Sequence, residues 1–129
     1  MKLLEEVKFD LNGLIPAIAQ DDATGDILMM AWMNKESLEE TVRTKRAVYY
    51  SRSRKKLWRK GEESGNVQEV KSISIDCDAD VLLLRINQIG GAACHTGHRT
   101  CFYRELSDDG NTFIEKKDIV FDPSTVYKK

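Results

Sequence analysis

Apolar residues in this chain fall in short runs rather than in one long repeat. "GLIPAIAQD" (13–21) and "GDILMMAWM" (25–33) are bounded by the turn residues Asn12-Gly13, Asp21-Asp22 and Thr24-Gly25, and each predicts a strand. The period then changes. Asn34 stands where a helix N-cap belongs, and "KESLEETVRTK" places acid early, base late, and Leu38 and Val42 four apart. That pattern predicts a helix of about three turns. "AVYYSRS" (47–53), β-branched and aromatic, returns to strand and is expected to leave Arg52 and Arg54 on one face. "KKLWRKGEESGN" (55–66) reads as a loop, punctuated by Gly61, Ser64, Gly65 and Asn66. "VQEVKSISI" and "DVLLLRINQI" predict two more strands, with Asp76 to Asp80 near their junction. "CFYRELS" and "NTFIEKK" flank Asp108-Asp109-Gly110, a hairpin turn signal. A second, short helix is expected near the C-terminus.

These elements predict an α+β fold: one small domain over residues 1–129, mostly antiparallel β-sheet with one or two helices. The length of 129 residues, two prolines and no Gly/Ser/Pro tract or repeat agree with a single domain. Hydrophobic residues make up 41%, enough for a real core, and the formal net charge of −1 excludes a globally basic nucleic-acid binder. "MKLLEEVKFD" has two acidic residues where a signal peptide needs an apolar run, and no segment approaches the roughly 20 apolar residues of a membrane span. A soluble, cytoplasmic protein with no membrane partner is expected. Three cysteines are an odd number and too few for a disulfide scaffold, which favours thiol chemistry or a metal.

Charge is unevenly distributed. Nine basic residues and no acidic one lie between Arg43 and Lys60, so the rest of the chain carries 11 basic against 21 acidic residues. A local positive field in an otherwise acidic protein points to an anionic ligand. Arg52, Arg54, Lys60 and the Ser64-Gly65-Asn66 stretch offer guanidinium forks, an ammonium and backbone N–H groups suited to phosphate. The plain alternative is a solvated charged face, with Trp58 as an anchor. Interleaved Tyr49, Tyr50 and Trp58 would also suit single-stranded nucleic acid, but positive charge elsewhere is too scarce, and no nucleic-acid partner is expected.

The candidate chemistry concentrates between Asp76 and Cys101, which holds all three cysteines and both histidines. The spacing C-x16-C-x6-C has no CxxC knuckle, so three buried core thiols are an alternative to a metal site. The glycine-rich setting of Cys94, followed at once by His95, shifts the balance, because such a loop packs poorly into a core but brings backbone close to a ligand. Thiolates there could hold zinc and leave a fourth position for water. Asp76, Asp78 and Asp80 alternate, and in extended backbone they would share one face with Cys77 on the other. They read either as a solvated acidic turn or as a magnesium site, not as an EF-hand, whose glycine and terminal glutamate are unmatched. His95 is the candidate catalytic histidine; His98 receives no role.

Together "MMAWMNKESLEET", "YYSRSRKKLWRKGEESGNVQ", "DCDAD" and "ACHTGHRTCF", in that order, closely resemble the phosphoribosyl-AMP cyclohydrolase family of histidine biosynthesis over about residues 10 to 105. Thr100 stands where the family usually has serine, and keeps the hydroxyl. The resemblance implies a monofunctional enzyme, without the fused pyrophosphohydrolase domain of some members. It implies hydrolytic opening of the adenine ring at N1–C6 of 1-(5-phosphoribosyl)-AMP, by zinc-activated water assisted by a histidine. It further implies zinc on Cys94 and Cys101 with Cys77 of the partner subunit in an intertwined homodimer, and magnesium on Asp76, Asp78 and Asp80. A zinc tris-thiolate carries a formal charge of −1 and acidifies water weakly, so a nearby base such as His95 matters more. Competing expectations are a zinc-dependent nucleobase deaminase, whose H-x-E and P-C-x-x-C elements are absent, and a zinc-stabilised RNA-binding module.

Overall fold

A computed structural model describes residues 1–115 and 119–120. The chain runs through α1 (Lys2–Glu6), β1 (Ile15–Asp21), β2 (Ile27–Met33), α2 (Lys35–Thr44), β3 (Val48–Ser51), β4 (Lys56–Arg59), β5 (Gln68–Ile75), β6 (Leu82–Gln88), β7 (Arg104–Leu106) and β8 (Phe113–Glu115). The α+β expectation holds. The short helix expected near the C-terminus, and Lys116 and Lys117 of the last predicted strand, fall outside the described residues. Among the described residues no helix is long and apolar enough to cross a membrane.

Six strands form one sheet in the order β4-β3-β2-β1-β6-β5, and β7 and β8 form a separate hairpin. Pairing is antiparallel except at the centre, where β1 and β6 run parallel with Ala19 beside Leu84, so the sheet is mixed. The sequence could not show this, because strand periodicity is blind to direction. The sheet also curls until the segment leading into β3 meets β5. Ala47 N–H donates to the Gln68 carbonyl at 3.0 Å and Val70 N–H to the Lys45 carbonyl at 2.8 Å, across an Arg46–Glu69 bridge.

Inside the curl lie Ile15, Ala17 and Ala19 of β1, Leu28 and Met33 of β2, and Leu82, Leu84 and Ile86 of β6. Helix α2 seals one side. Asn34 and Ser37 form a capping box, Leu38 enters the core, and the Thr41 hydroxyl accepts from Val48 N–H at 2.9 Å. Bidentate pairing of Arg59 with Glu40 (2.7 and 2.9 Å) ties the same helix to β4.

Two sequence readings need correction. Lys56–Arg59 is strand β4, not loop, because Trp58 packs its ring 5.5 Å from that of buried Tyr49. Arg52 and Arg54 lie in the tight β3–β4 turn rather than along one strand face, since the hairpin reverses directly after Ser51.

A buried polar chain crosses the interior. The Tyr49 hydroxyl donates to Gln68 Oε1 at 2.6 Å, Gln68 Nε2 donates to Gln88 Oε1 at 2.9 Å, and Gln88 Nε2 donates to the Asn66 carbonyl at 2.8 Å. Removing one member strands its neighbour in the buried interior. Tyr49→Phe should therefore cost about 1–3 kcal/mol of folding stability by leaving Gln68 Oε1 without its donor. Chemical denaturation of the two proteins side by side checks this.

Candidate metal and substrate site

The chain leaves β6 at Gln88 and enters the cysteine loop through Gly90 and Gly91, both at positive φ. Gly90 admits no side chain, because a Cβ there would run into the Asn66 carboxamide. The loop is not loosely packed, as its glycine content led one to expect. Ala92, Ala93 and Cys94 are buried, and a turn closed by Gly97 N–H to the Cys94 carbonyl at 3.0 Å lifts His95 into solvent. Three contacts pin the far end to β2 and its approach. Cys101 N–H donates to the Leu28 carbonyl at 2.7 Å, Thr100 Oγ1 to the Ile27 carbonyl at 2.9 Å, and Arg99 Nη2 to Asp21 Oδ2 at 2.5 Å.

These anchors fold the loop back so that Cys94 and Cys101 come together. Burial, and next the neighbouring Cys94, push the Cys101 thiol up to about 12, although the residue as a whole is exposed. The Thr96 hydroxyl donates to Cys94 Sγ at 3.0 Å and also meets His98 Nδ1 at 2.7 Å. His98 is buried, stacked on Tyr103 with ring centroids 3.7 Å apart, and its Nε2 lies 3.3 Å from Glu115.

Lys60 departs from expectation. Placed by sequence among exposed phosphate ligands, it is 6% exposed and donates from Nζ to the Ala93 carbonyl at 2.5 Å. Burial pulls its pKa down while Cys101 and Cys94 pull it back. Among the other basic candidates, Arg52 lies 4.7 Å over the Trp32 ring and Arg54 is exposed in the same turn. Ser64, Gly65 and Asn66 belong to the loop after β4, at the opposite end of the β3–β4 hairpin from that turn. The expected phosphate residues are thus split into two groups, with Asn66 itself buried against the cysteine loop.

Asp76, Asp78 and Asp80 are brought together, but by a turn rather than an extended strand. Ala79 is left-handed at φ 60, and its N–H bonds the Asp76 carbonyl at 3.0 Å. Alternation therefore does not set the faces, and one carboxylate oxygen from each aspartate still lies within 4.8 Å of the others. Partial desolvation opposes it, yet the Asp80 and Val81 N–H groups on Oδ1 hold the Asp76 carboxyl below the usual range. Asp80 is pushed up, first by hydrogen bonding with the Asp76 side chain. Cys77 is exposed on this turn, at the end of the β5–β6 hairpin away from Gln88 and the cysteine loop. Strand β6 separates the two ends by on the order of 20 Å. Among the described residues the three aspartates are the one set of three or more ligand-type side chains brought together; the three cysteines of a single chain are not.

The donor chemistry divides cleanly. Soft sulfur at Cys94 and Cys101 suits zinc, and hard oxygen at Asp76, Asp78 and Asp80 suits magnesium.

The phosphoribosyl-AMP cyclohydrolase family model matches residues 29–103, which span β2 through the cysteine loop. A phosphoribosyl-AMP cyclohydrolase of Thiobacillus denitrificans is 56% identical, covering 98% of this chain and 97% of its own length. One of Chlorobium phaeovibrioides is 59% identical over 98% and 90%, and one of Bordetella parapertussis 57% over 97% and 95%. The chain belongs to the phosphoribosyl-AMP cyclohydrolase family, a family of hydrolytic enzymes.

The Arg99–Asp21 anchor is not legible in the sequence, because 78 residues separate the partners and Asp21 reads there only as a turn residue. The Arg99 guanidinium holds the Asp21 carboxyl below its ordinary range. A depressed folded value means that the stabilisation is complete above the unfolded value of about 3.9 and is lost as pH falls through the folded one. Asp21→Asn should lose about 2 kcal/mol at neutral pH, with the deficit narrowing below about pH 4. Urea denaturation across that pH range reads it out.

Proposed function

We propose that this chain hydrolyses 1-(5-phosphoribosyl)-AMP in histidine biosynthesis, opening the adenine ring between N1 and C6 to give the formimino-AICAR phosphoribosyl product. The observation that carries this reading, beside family membership, is the Cys94–Cys101 pair with His95 exposed immediately next to it. We place the reaction in the cytoplasm, with zinc at the cysteines and magnesium at the aspartates. Bound there, zinc supplies the Lewis acid that activates water, and magnesium offsets phosphate charge.

The chain's own residues do the rest. Water adds to C6 while His95 takes its proton. Collapse of the tetrahedral centre breaks C6–N1, and a proton passes to N1, leaving a carboxamide at C6. Arg52 and Arg54 on one turn offer an exposed cationic grip for one phosphate end, and Ser64 on another loop offers a hydroxyl donor for the other, while the Gly65 and Asn66 N–H groups are spent within that loop.

Two further observations support a homodimer. Cys77 lies at the wrong end of its own chain to reach Cys94 and Cys101, so a third thiolate would come from a second copy. The β7–β8 hairpin exposes Leu106, Phe113 and Ile114, with Phe102, Ile119 and Val120 also exposed, and an isolated two-stranded hairpin is marginal in water.

Mixed with phosphoribosyl-AMP and magnesium, the purified protein should produce an ultraviolet spectral change that zinc chelation abolishes. An unchanged spectrum from a zinc-loaded dimer would overturn the reading. His95→Ala should slow turnover by roughly 10²–10⁴-fold with zinc content intact; loss of zinc would make it a ligand or support instead. The shared site has its own signature. Cys77→Ala and Cys94→Ala should each lose zinc, yet unfolding and refolding them together should restore about a quarter of the sites, in heterodimers with one intact set. Zinc assay of the mixture decides, because a site built within one chain recovers nothing.

A further inference from the structure

Lys60 is the one strongly buried cation in this region, and the family reaction as set out above gives it nothing to do. Its Nζ cannot meet a phosphate from solvent, because the residue is 6% exposed and one N–H is fixed on the Ala93 carbonyl. Ala93 directly precedes Cys94, so that hydrogen bond brings the ammonium to the start of the cysteine pair, where Cys101 and Cys94 act on its charge, with the Trp58 ring 5.3 Å away. Both neighbours suit a positive charge: the ring presents its electron-rich face, and sulfur becomes anionic once it binds a metal.

An isolated ammonium in such a place is costly, since desolvation disfavours the charged form, and charges of this kind persist where they are paired. The described residues around Lys60 provide no carboxylate within ion-pair distance. The available anions are the sulfurs of Cys94 and Cys101. When zinc binds, each thiol loses its proton to solvent and a zinc tris-thiolate of formal charge −1 forms; a resident ammonium brings the site to neutrality.

We propose that Lys60 is the built-in counter-cation of the Cys94–Cys101 thiolate pair, a positioning residue for the metal site rather than a substrate ligand. This rests on the zinc reading above. Lys60 supplies a positive charge beside the two sulfurs, and through Ala93 it holds the loop in the shape that brings them together.

The test is zinc affinity by chelator competition on the dimeric protein, with cobalt substitution as a second readout. Lys60→Gln keeps a donor for the Ala93 carbonyl without the charge, and Lys60→Met removes both. Each should bind zinc about 10–100-fold more weakly than the parent, as removal of outer-shell partners does elsewhere. Lys60→Arg should restore most of the affinity. In the cobalt form, loss of the cation raises the sulfur lone pairs, so the sulfur-to-metal charge-transfer band should move to longer wavelength in Lys60→Gln, which a purely structural role would not produce. A folded Lys60→Gln or Lys60→Met with parental affinity and an unmoved band overturns the proposal and leaves the zinc reading standing. A parent protein that binds no zinc overturns both.

Discussion

Two backbone hydrogen bonds, between Lys45–Ala47 and Gln68–Val70, determine the shape of everything else. They join the segment leading into β3 to the edge strand β5 and convert an open layer into a curled one with an interior. An open sheet of this length would expose two edges and one apolar face, whereas closure removes the edge beside β5 and leaves one enclosed core. Small residues make the curl possible, with Ala17 and Ala19 fully buried where β1 lies between its two neighbours. The seam also dictates where chemistry can sit. Lys60 N–H bonds the Ala47 carbonyl at 3.2 Å, so the chain leaving β4 is held at the closure and the Lys60 side chain turns inward toward Ala93.

Closure accounts for the polar chain as well. Gln68, at the seam, is wholly enclosed, and its amide is satisfied by Tyr49, Gln88 and the Met29 sulfur. Gln88 in turn holds the backbone of Asn66, and the Asn66 side chain fills the space that a Cβ at Gly90 would need. The loop after β4 and the loop after β6 are therefore locked to each other through the core. That linkage puts the Ser64–Asn66 stretch and the cysteine loop side by side although about 30 residues separate them.

Much of this was legible in the sequence, and the failures have physical causes. Element types follow from local period and capping: Asn34 and Ser37 cap α2 as the pattern implied, and Asp108-Asp109-Gly110 turns the last hairpin. The five-residue α1 escaped notice because its helix is too short to show a period, and its Leu3 and Leu4 are set by packing on the core. β4 reads as loop in the sequence because Lys56, Arg59 and a half-exposed Trp58 carry no alternation; its pairing with β3 makes it a strand. Direction was invisible, hence the parallel β1–β6 pair. For the site, motif order singles out residues that the fold gathers in the cysteine loop and the aspartate turn, but charge alone could not tell a solvated lysine from a buried one. Arg52 and Lys60, eight residues apart and alike in sequence, occupy opposite environments.

The two histidines show the same separation of composition from role. His95 and His98 lie three residues apart in one loop, and either could serve a proton in principle. His98 is buried, stacked on Tyr103, and engaged with Thr96 on one ring nitrogen and near Glu115 at the other, so its ring is fixed and its approach from solvent closed. Its geometry fits a brace. Through Thr96, which also donates to Cys94 Sγ, it steadies that sulfur. His95, lifted out by the Cys94–Gly97 turn, is exposed beside the cysteine pair. A general base needs reach before it needs any particular basicity, and of the two histidines only His95 is open to solvent, as the proposed role requires.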